Sequence, residues 1–150
     1  MTVPANFSIV TLGVRDLDAS ARFYRALGWQ QRGEESAGIC WFKTSGSWVG
    51  LFGYDDLAAD VGFVDPGEPA DPASPPAYRG ITLALNLPDR SDVDAAIAHA
   101  AEAGGSVVKQ PRPTEWGGYS GYFADPDGHL WEVAHNPGFP IDETGRIEIA

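Results

Sequence analysis

YSGYFADPDGHLWEVAH, residues 119–135, is the stretch that decides the fold of this chain. It is predicted to form two β-strands joined by a tight turn, because DPDG, residues 125–128, places its proline and glycine where a turn prefers them. Proline presets φ at the second turn position, and glycine accepts a positive φ at the end of the turn. Side chains of the strand after the turn alternate between its two faces. Glu132 therefore shares a face with Leu130 and Ala134, opposite His129, Trp131, Val133 and His135.

Glu132 is the residue of this hairpin that needs an explanation. A carboxylate between two apolar residues is costly to bury without a partner. The alternation therefore predicts either that this face is wet or that Glu132 has a functional role.

The composition limits the class of protein. The chain has 150 residues, the length of one average domain. Its one cysteine, Cys40, excludes an internal disulfide and a multi-cysteine metal cluster, and it favours a reducing compartment. The net charge of −11 disfavours nucleic acid as a partner, because the phosphates would be repelled. No signal-like start and no apolar run of the roughly 20 residues that span a membrane is seen, so a soluble, cytoplasmic protein without a membrane partner is expected.

The first half of the chain predicts a strand, a helix and three further strands. FSIVTLGV, residues 7–14, is an apolar, β-branched run typical of a strand. Asp16 is predicted to cap a helix that ends at Gly28. Strands are expected near residues 29–34, 39–44 and 48–53, and a short helix or turn over residues 55–60. The predicted apolar side of the helix consists of Ala19, Phe23, Ala26 and Leu27.

The second half repeats this order after a break in composition. Residues 65–76 contain five prolines and predict a connector. GITLALNL, residues 80–87, then predicts a strand whose helix-facing side chains are Ile81, Leu83, Leu85 and Leu87. Asp89 or Ser91 can cap the next helix, which Gly104-Gly105 ends and whose apolar stripe is Val93, Ala96, Ile97, Ala100 and Ala101. A strand over residues 106–109, a loop through Pro111, Pro113 and Trp116, the hairpin, and a short edge strand over residues 146–150 complete the prediction.

The shared order indicates an internal repeat within one domain of residues 1–150. Repeat 1 covers about residues 5–60 and repeat 2 about residues 79–136, with a connector over about 61–78 and a tail over 137–150. The predicted fold class is α+β: two tandem βαβββ modules form a cup-shaped, curved mixed sheet with the helices outside.

The layout resembles the vicinal oxygen chelate superfamily, which includes glyoxalase I, bleomycin resistance proteins and extradiol dioxygenases. The opening LGVRDLDASARFYRALGW, residues 12–29, and the ending GYFADPDGHLWEV, residues 121–133, carry the resemblance. The resemblance implies the fold for most of the chain. It also implies a homodimer, because related proteins complete their clefts across a two-fold axis. It says little about function, because this fold hosts many chemistries.

The resemblance also implies where a metal would be held. Metal-dependent relatives use four side chains, and by motif the last of these falls on Glu132. The others fall on or beside Ile9, near Gly50, and near Gly80 or Thr82, where no side chain is a good ligand. One carboxylate cannot hold a divalent ion against water, and His99, His129 and His135 are placed elsewhere by helix position or strand alternation. No cofactor is therefore expected, since the ligand positions do not support a divalent metal.

The face that carries Glu132 predicts an apolar, aromatic pocket with a few polar side chains. Such pockets suit flat or amphiphilic organic molecules. The expected ligand is a small aromatic or cationic molecule, bound by these residues: Phe7, Ile9, Thr11, Trp48, Gly50, Phe52, Thr82, Asn86, Trp116, Ser120, Tyr122 and Glu132.

Three functions fit these observations. The first is a metal-free protein that binds or sequesters a small molecule, like the drug-sequestering branch of the superfamily and with antibiotic resistance as its possible setting. The second is a lyase, isomerase or dioxygenase of the glyoxalase I type, either metal-dependent or using Glu132 as a catalytic general base. The third is an interaction module with a vestigial pocket.

Overall fold

The computed structural model describes residues 8–36, 38–60, 81–147 and 149, without the side chains of residues 33–36. Phe7, Gly80 and the predicted connector lie outside the described residues. The chain divides into two compact units, residues 1–74 and 75–150, and each is described by itself.

Unit 1 is a four-stranded sheet with two helices. Its elements are β1 (Ile9–Val14), α1 (Leu17–Ala26), β2 (Gln31–Ser36), β3 (Ile39–Phe42), β4 (Trp48–Gly53) and α2 (Tyr54–Asp60). The strand order is β1-β4-β3-β2. β1 runs parallel to β4, and the other two pairs are antiparallel.

Unit 2 has the same topology. Its elements are β5 (Leu83–Asn86), α3 (Arg90–Glu102), β6 (Ser106–Pro113), β7 (Tyr119–Ala124) and β8 (Leu130–His135). The strand order is β5-β8-β7-β6, again with one parallel pair, β5 with β8. The predicted α+β fold of two βαβββ modules is therefore confirmed.

The first helix begins where the sequence predicts, but its buried side is rotated. The Asp16 carboxylate accepts a hydrogen bond from the Ala19 amide at 2.8 Å, as an N-cap does. Phe23 is buried, but Ala26 is exposed, and Tyr24 is fully buried instead, with its ring 5.6 Å from that of Phe42. A buried tyrosine contributes most of its area as a hydrophobic ring, which the apolar pattern did not count.

The way α1 ends moves the start of the next strand to a later residue than predicted. Gly28 has φ +90°, and the Trp29 amide donates to the Tyr24 carbonyl at 3.1 Å. Because Trp29 completes the helix ending, β2 begins at Gln31 rather than at the predicted residue 29.

In unit 2, α3 packs against β7, β8 and β6. Val93, Ile97 and Ala100 are its buried residues, whereas the predicted stripe member Ala101 is exposed. In the sheet beneath, the rings of Phe123 and Trp131 stack with centroids 6.2 Å apart. The prediction that Ile81 faces the helices is wrong: it precedes β5, which starts only at Leu83, and is 68% exposed.

The turn between β7 and β8 forms as predicted, with Gly128 at φ +84°. Asp125 holds it in place, which the turn pattern alone did not show. This aspartate is 3% exposed, and its Oδ1 accepts hydrogen bonds from the amides of Asp127 at 2.9 Å and His129 at 2.8 Å. Its Oδ2 lies 2.9 Å from Nδ1 of His129. The turn is thus stabilised from inside the unit by a buried carboxylate.

The predicted loop through Pro111 and Pro113 is instead the second half of β6, which continues to Pro113. β6 is an edge strand, so a residue without an N–H is tolerated there. Register shifts interrupt its pairing with β7 after Val107 and after Lys109.

After β8 the described chain makes one further pairing, an isolated bridge between Ile141 and Ile147. The predicted strand over residues 146–150 is wrong in its described part, because Ile147 forms this bridge alone and Glu148 and Ala150 lie outside the described residues. Within the described ranges, no helix is long and apolar enough to cross a membrane.

Candidate functional site

Each sheet has one face packed against a helix, α1 or α3, and we call the opposite face its open face. In unit 1, the helix-packed face buries Leu12, Val14, Cys40, Phe42, Val49 and Leu51. The alternate residues of β1 and β4 form the open face, and register pairs Ile9 with Trp48 and Thr11 with Gly50. Phe52 follows Gly50 on the same face. Five of the predicted binding residues, Ile9, Thr11, Trp48, Gly50 and Phe52, are thus brought together.

Trp41 is the open-face residue that the sequence prediction missed. It pairs with Gly50 across β3 and β4. A Cβ added at Gly50 would lie 2.8 Å from Cζ3 of Trp41, so the indole ring rests directly on the glycine. The alternation in ICWF, residues 39–42, could have found it: Cys40 and Phe42 are buried on the helix side, which turns Trp41 to the other.

The two indoles border a shallow apolar pocket of about 380 Å³. Its lining residues are Ser8, Ile9, Trp41 and Trp48. Ile9 is half exposed, because it begins the edge strand β1, where it pairs with Trp48. The pocket therefore offers unburied apolar surface that a flat organic molecule would cover.

The far end of the same face is closed by α2. A Cβ at Gly13 would lie 3.2 Å from the Tyr54 ring and 3.3 Å from a methyl of Leu57. Gly13 follows Thr11 on the open face. Because it has no side chain, α2 can pack closely against the sheet at this position. The aromatic surface is therefore bounded by α2 on one side and open at the Ile9–Trp48 end.

The open face of unit 2 carries Glu132 in the middle of a row of paired residues. Glu132 pairs with Ala84 on β5 and with Tyr122 on β7. In the next row, Ala134 pairs with Asn86 and Ser120. Glu132, Tyr122, Asn86 and Ser120 are thus on one face as the alternation indicated, while Thr82 is exposed just before β5.

Glu132 is half-buried, and within the described part of the chain its carboxylate has neither a hydrogen bond nor an ion pair. Lys109 extends the row on the far side of Tyr122, with Nζ 5.7 Å from the ring centroid. A partner-free carboxylate can accept a proton or a hydrogen bond from a ligand without first breaking an internal contact.

Trp116 lies in the loop between β6 and β7 and is 52% exposed. Its ring folds back over Gly118, where a Cβ would lie only 1.6 Å from Cζ3 of the indole. The Thr114 hydroxyl accepts a hydrogen bond from the Gly118 amide at 3.0 Å and closes the loop. Trp116 is thus a loop residue separate from the strand rows above.

The histidines have structural partners. His99 lies on α3 with Nδ1 4.0 Å from Glu102, and both side chains are exposed. His129 pairs with the buried Asp125, and Nδ1 of His135 lies 3.2 Å from the Leu87 carbonyl. Among the described residues, no three His, Cys, Asp or Glu side chains are grouped as metal ligands.

The internal repeat gives an independent test of the metal positions inferred from the resemblance. Gly50 is the third residue of β4 and pairs with β1, just as Glu132 is the third residue of β8 and pairs with β5. Ile9 lies two residues before the partner of Gly50, and Thr82 two before the partner of Glu132. The four positions therefore correspond, and at two of them isoleucine and glycine offer no side-chain ligand atoms for a metal.

The sequence matches the Glyoxalase/Bleomycin resistance protein/Dioxygenase superfamily over residues 6–133, and the chain belongs to this family. The match spans both units with their common strand order. No curated protein matches the sequence.

Solved structures agree with this assignment. A glyoxalase-related enzyme from Fulvimarina pelagi is 31% identical, with a TM-score of 0.82 over 98% of this chain and 99% of that chain. A glyoxalase/bleomycin resistance protein from Albidiferax ferrireducens is 25% identical, with a TM-score of 0.62 over 87% and 98%. A lactoylglutathione lyase from Agrobacterium tumefaciens, 21% identical with a TM-score of 0.61 over 90% and 96%, shares the fold.

Proposed function

We propose that this protein binds and sequesters a hydrophobic, aromatic small molecule without a metal. The observation that carries the proposal is the open face of unit 1, where Trp41 and Trp48 border an apolar pocket of about 380 Å³. This volume lies within the range of pockets that hold small organic ligands. Because Gly50 has no side chain, the Trp41 ring can lie directly against the sheet at that position, where the indole can serve as a stacking surface.

The charge of the protein supports a cationic ligand. A formal net charge of −11 raises the local concentration of cations and speeds their association at low salt. An aromatic cation also gains from contact with indole rings, because the ring faces attract positive charge.

The proposal is tested by titrating the full chain with berberine, a cationic aromatic probe, and with flavone, a neutral one. Tryptophan fluorescence should be quenched saturably by at least one of them, with a matching rise in the unfolding temperature. Trp48→Ala should weaken binding by about tenfold or more, as truncation of a central aromatic contact does.

Trp29→Phe is the matched control. Trp29 packs against Tyr24 at 5.4 Å on the helix side of unit 1, away from the open face, so binding should be unchanged. If neither probe nor a wider aromatic panel quenches the fluorescence or shifts the unfolding temperature, the sequestering function is wrong.

The second candidate is a metal-free enzyme that uses Glu132 as a general base. It is favoured by one observation: the half-buried Glu132 carboxylate has no partner within the described residues. Glu132→Gln would then abolish turnover and leave binding intact. A stoichiometric divalent ion in the purified protein would instead favour a metal-dependent relative of glyoxalase I, which elemental analysis decides.

The proposed assembly is a homodimer, as the family resemblance implies. Light scattering of the full chain measures it directly, and a monomer at the concentrations used for ligand titration would contradict it.

A further inference from the structure

The edge strand β6 has an irregular register that changes which side chains it presents. Val107 pairs with Phe123, but Lys109 pairs with Tyr122, so two steps on β6 match one step on β7. Arg112 then pairs with Ser120, so three steps on β6 match two on β7. Each mismatch is a β-bulge, a feature that re-aims side chains and is frequent beside binding sites.

The two bulges together place Lys109 and Arg112 on the open face of unit 2. In a regular strand, residues three apart point to opposite faces, and Lys109 would share the helix-packed face with Val107. With the bulges, both basic residues pair with open-face residues of β7. The position of Lys109 Nζ over the Tyr122 ring, 5.7 Å from its centroid, agrees with this arrangement.

The bulged backbone fits because position 121 is a glycine. A Cβ there would lie 2.9 Å from the Lys109 carbonyl oxygen and 3.0 Å from the Pro111 nitrogen. These are backbone atoms, so they could not move aside as the end of a side chain can. Gly121 thus acts as a positioning residue for the two basic side chains.

Two cations on one small face are unusual for this chain. The sequence has ten lysines and arginines against 21 acidic residues, and only two of the ten are lysines. Within the described residues the Arg112 side chain has no hydrogen bond or ion pair, and the charged end of Lys109 contacts only the Tyr122 ring. Among the described strand residues of this open face the two cations outnumber the one carboxylate, Glu132, which favours an anion beside Lys109 and Arg112.

We propose that the open face of unit 2 is a binding site for an aromatic carboxylate. Lys109 and Arg112 hold the carboxylate group, since Arg binds carboxylates in a bidentate way. Tyr122 supports the aromatic ring, and Glu132 on the next strand accepts a hydrogen bond from a hydroxyl at the far end of the molecule. β6 and β8 lie on either side of β7, about 10 Å apart, which suits a ligand of one ring with polar groups at both ends.

The test measures binding of 4-hydroxybenzoate to the full chain by titration calorimetry, with benzoate and inorganic phosphate as comparison ligands. 4-Hydroxybenzoate should bind saturably. Benzoate should bind more weakly, because it lacks the hydroxyl that would donate a hydrogen bond to the Glu132 carboxylate. The double variant Lys109→Met, Arg112→Gln should weaken binding by about tenfold or more, as loss of charge-assisted hydrogen bonds does.

The matched control is Lys43→Met with Arg22→Gln, which removes the same charges from exposed positions in unit 1. It should bind 4-hydroxybenzoate as the natural chain does, and this separates a local site from the effect of net charge. Urea unfolding of every variant checks the fold, and the single variant Arg112→Gln, an exposed position, gives a second measurement if the double variant is unstable.

Three outcomes would overturn the proposal. The natural chain does not bind 4-hydroxybenzoate; or phosphate binds and the aromatic acid does not; or the Lys109, Arg112 double variant binds as tightly as the control. In the last case the two charges only protect an exposed sheet edge from pairing with other chains, and the double variant should aggregate more readily. Either proposal can fail while the other holds, because berberine and flavone binding is tested through Trp48 and 4-hydroxybenzoate binding through Lys109 and Arg112.

Discussion

Units 1 and 2 have the same strand order and the same helix-packed core, yet their open faces differ in chemistry. In unit 1 the open face is apolar and aromatic, with Trp41 and Trp48 around Ile9. In unit 2 the corresponding rows hold Glu132 beside Tyr122 and Lys109. The position that is Gly50 in one unit is a glutamate in the other.

The difference shows which part of the repeat is fixed by folding. The helix-packed face of each sheet supplies the buried core, so its side chains must be apolar and must fill the space under the helix. The open face contributes less buried area and can therefore carry different chemistry without loss of the fold. A single topology thus carries an apolar, aromatic surface in one unit and a polar, charged one in the other.

The largest expected effect compares the two faces of unit 1. Phe42→Ala should lower the free energy of unfolding by about 3–5 kcal/mol, because Phe42 is fully buried against Tyr24. Phe52→Ala, the same change on the open face, should lower it by only about 1–2 kcal/mol, because Phe52 is half-buried. Urea unfolding measures both, and equal losses would show that the open face is packed as a second core.

The next prediction compares glycines that shape the two open faces. Gly121→Ala should destabilise by about 1–3 kcal/mol, since the new methyl meets backbone atoms of the bulge. It should also weaken binding of 4-hydroxybenzoate without affecting the aromatic probes. Gly50→Ala displaces the Trp41 ring and should do the reverse, weakening the aromatic probes alone.

Gly46→Ala is the control for both variants. Nothing lies within 4 Å of a Cβ at Gly46, so stability and binding of either class of ligand should stay unchanged. Loss of both kinds of binding in both glycine variants would mean that the open faces are not independent.

The smallest expected effect concerns the two DxxG turns of unit 2. Asp142 holds its turn as Asp125 does, with Oδ1 accepting from the amides of Thr144 at 2.8 Å and Arg146 at 3.0 Å, but it is exposed. The hydrogen bond from the Thr144 side chain, with that from the Arg146 amide, holds the pKa of Asp142 below its ordinary value of 3.8. A depressed folded-state pKa stabilises the fold above the unfolded value and loses that contribution as the pH falls through the folded value.

Asp142→Asn should therefore remove a small part of the pH dependence of stability between about pH 5 and about pH 2. Thermal unfolding over this range measures it, with Glu143→Gln, an exposed neighbour, as control. Identical pH profiles for Asp142→Asn and the natural chain would show that the Asp142 turn melts before the unit unfolds.

Local signals in the sequence predicted much of the fold. The cap at Asp16, the glycine at the end of α1 and the DPDG turn depend on a few neighbouring residues, and all three appear in the structure. Features that depend on contacts across the sheet were missed. Pro111 suggests a loop until β6 is known to be an edge strand, and the buried Tyr24 becomes part of the core only through its contact with Phe42.

The same division applies to the candidate residues. Alternation within one strand correctly grouped Ile9 with Thr11, and Glu132 with Leu130 and Ala134, because side-chain direction in a regular strand follows from position alone. It could not place Lys109, since the first bulge turns this side chain to the face opposite the one that regular alternation from Val107 assigns. Trp41, in contrast, follows from the same rule, because the buried Cys40 and Phe42 on either side of it turn it to the open face.

The sequence by itself determined the repeated α+β architecture and the family, because these follow from periodicity, turn residues and side-chain type. The tertiary structure alone decided that the two repeats present unlike open faces. Strand pairing, register and two bulges bring together residues that are distant in the chain, and no local pattern contains those distances.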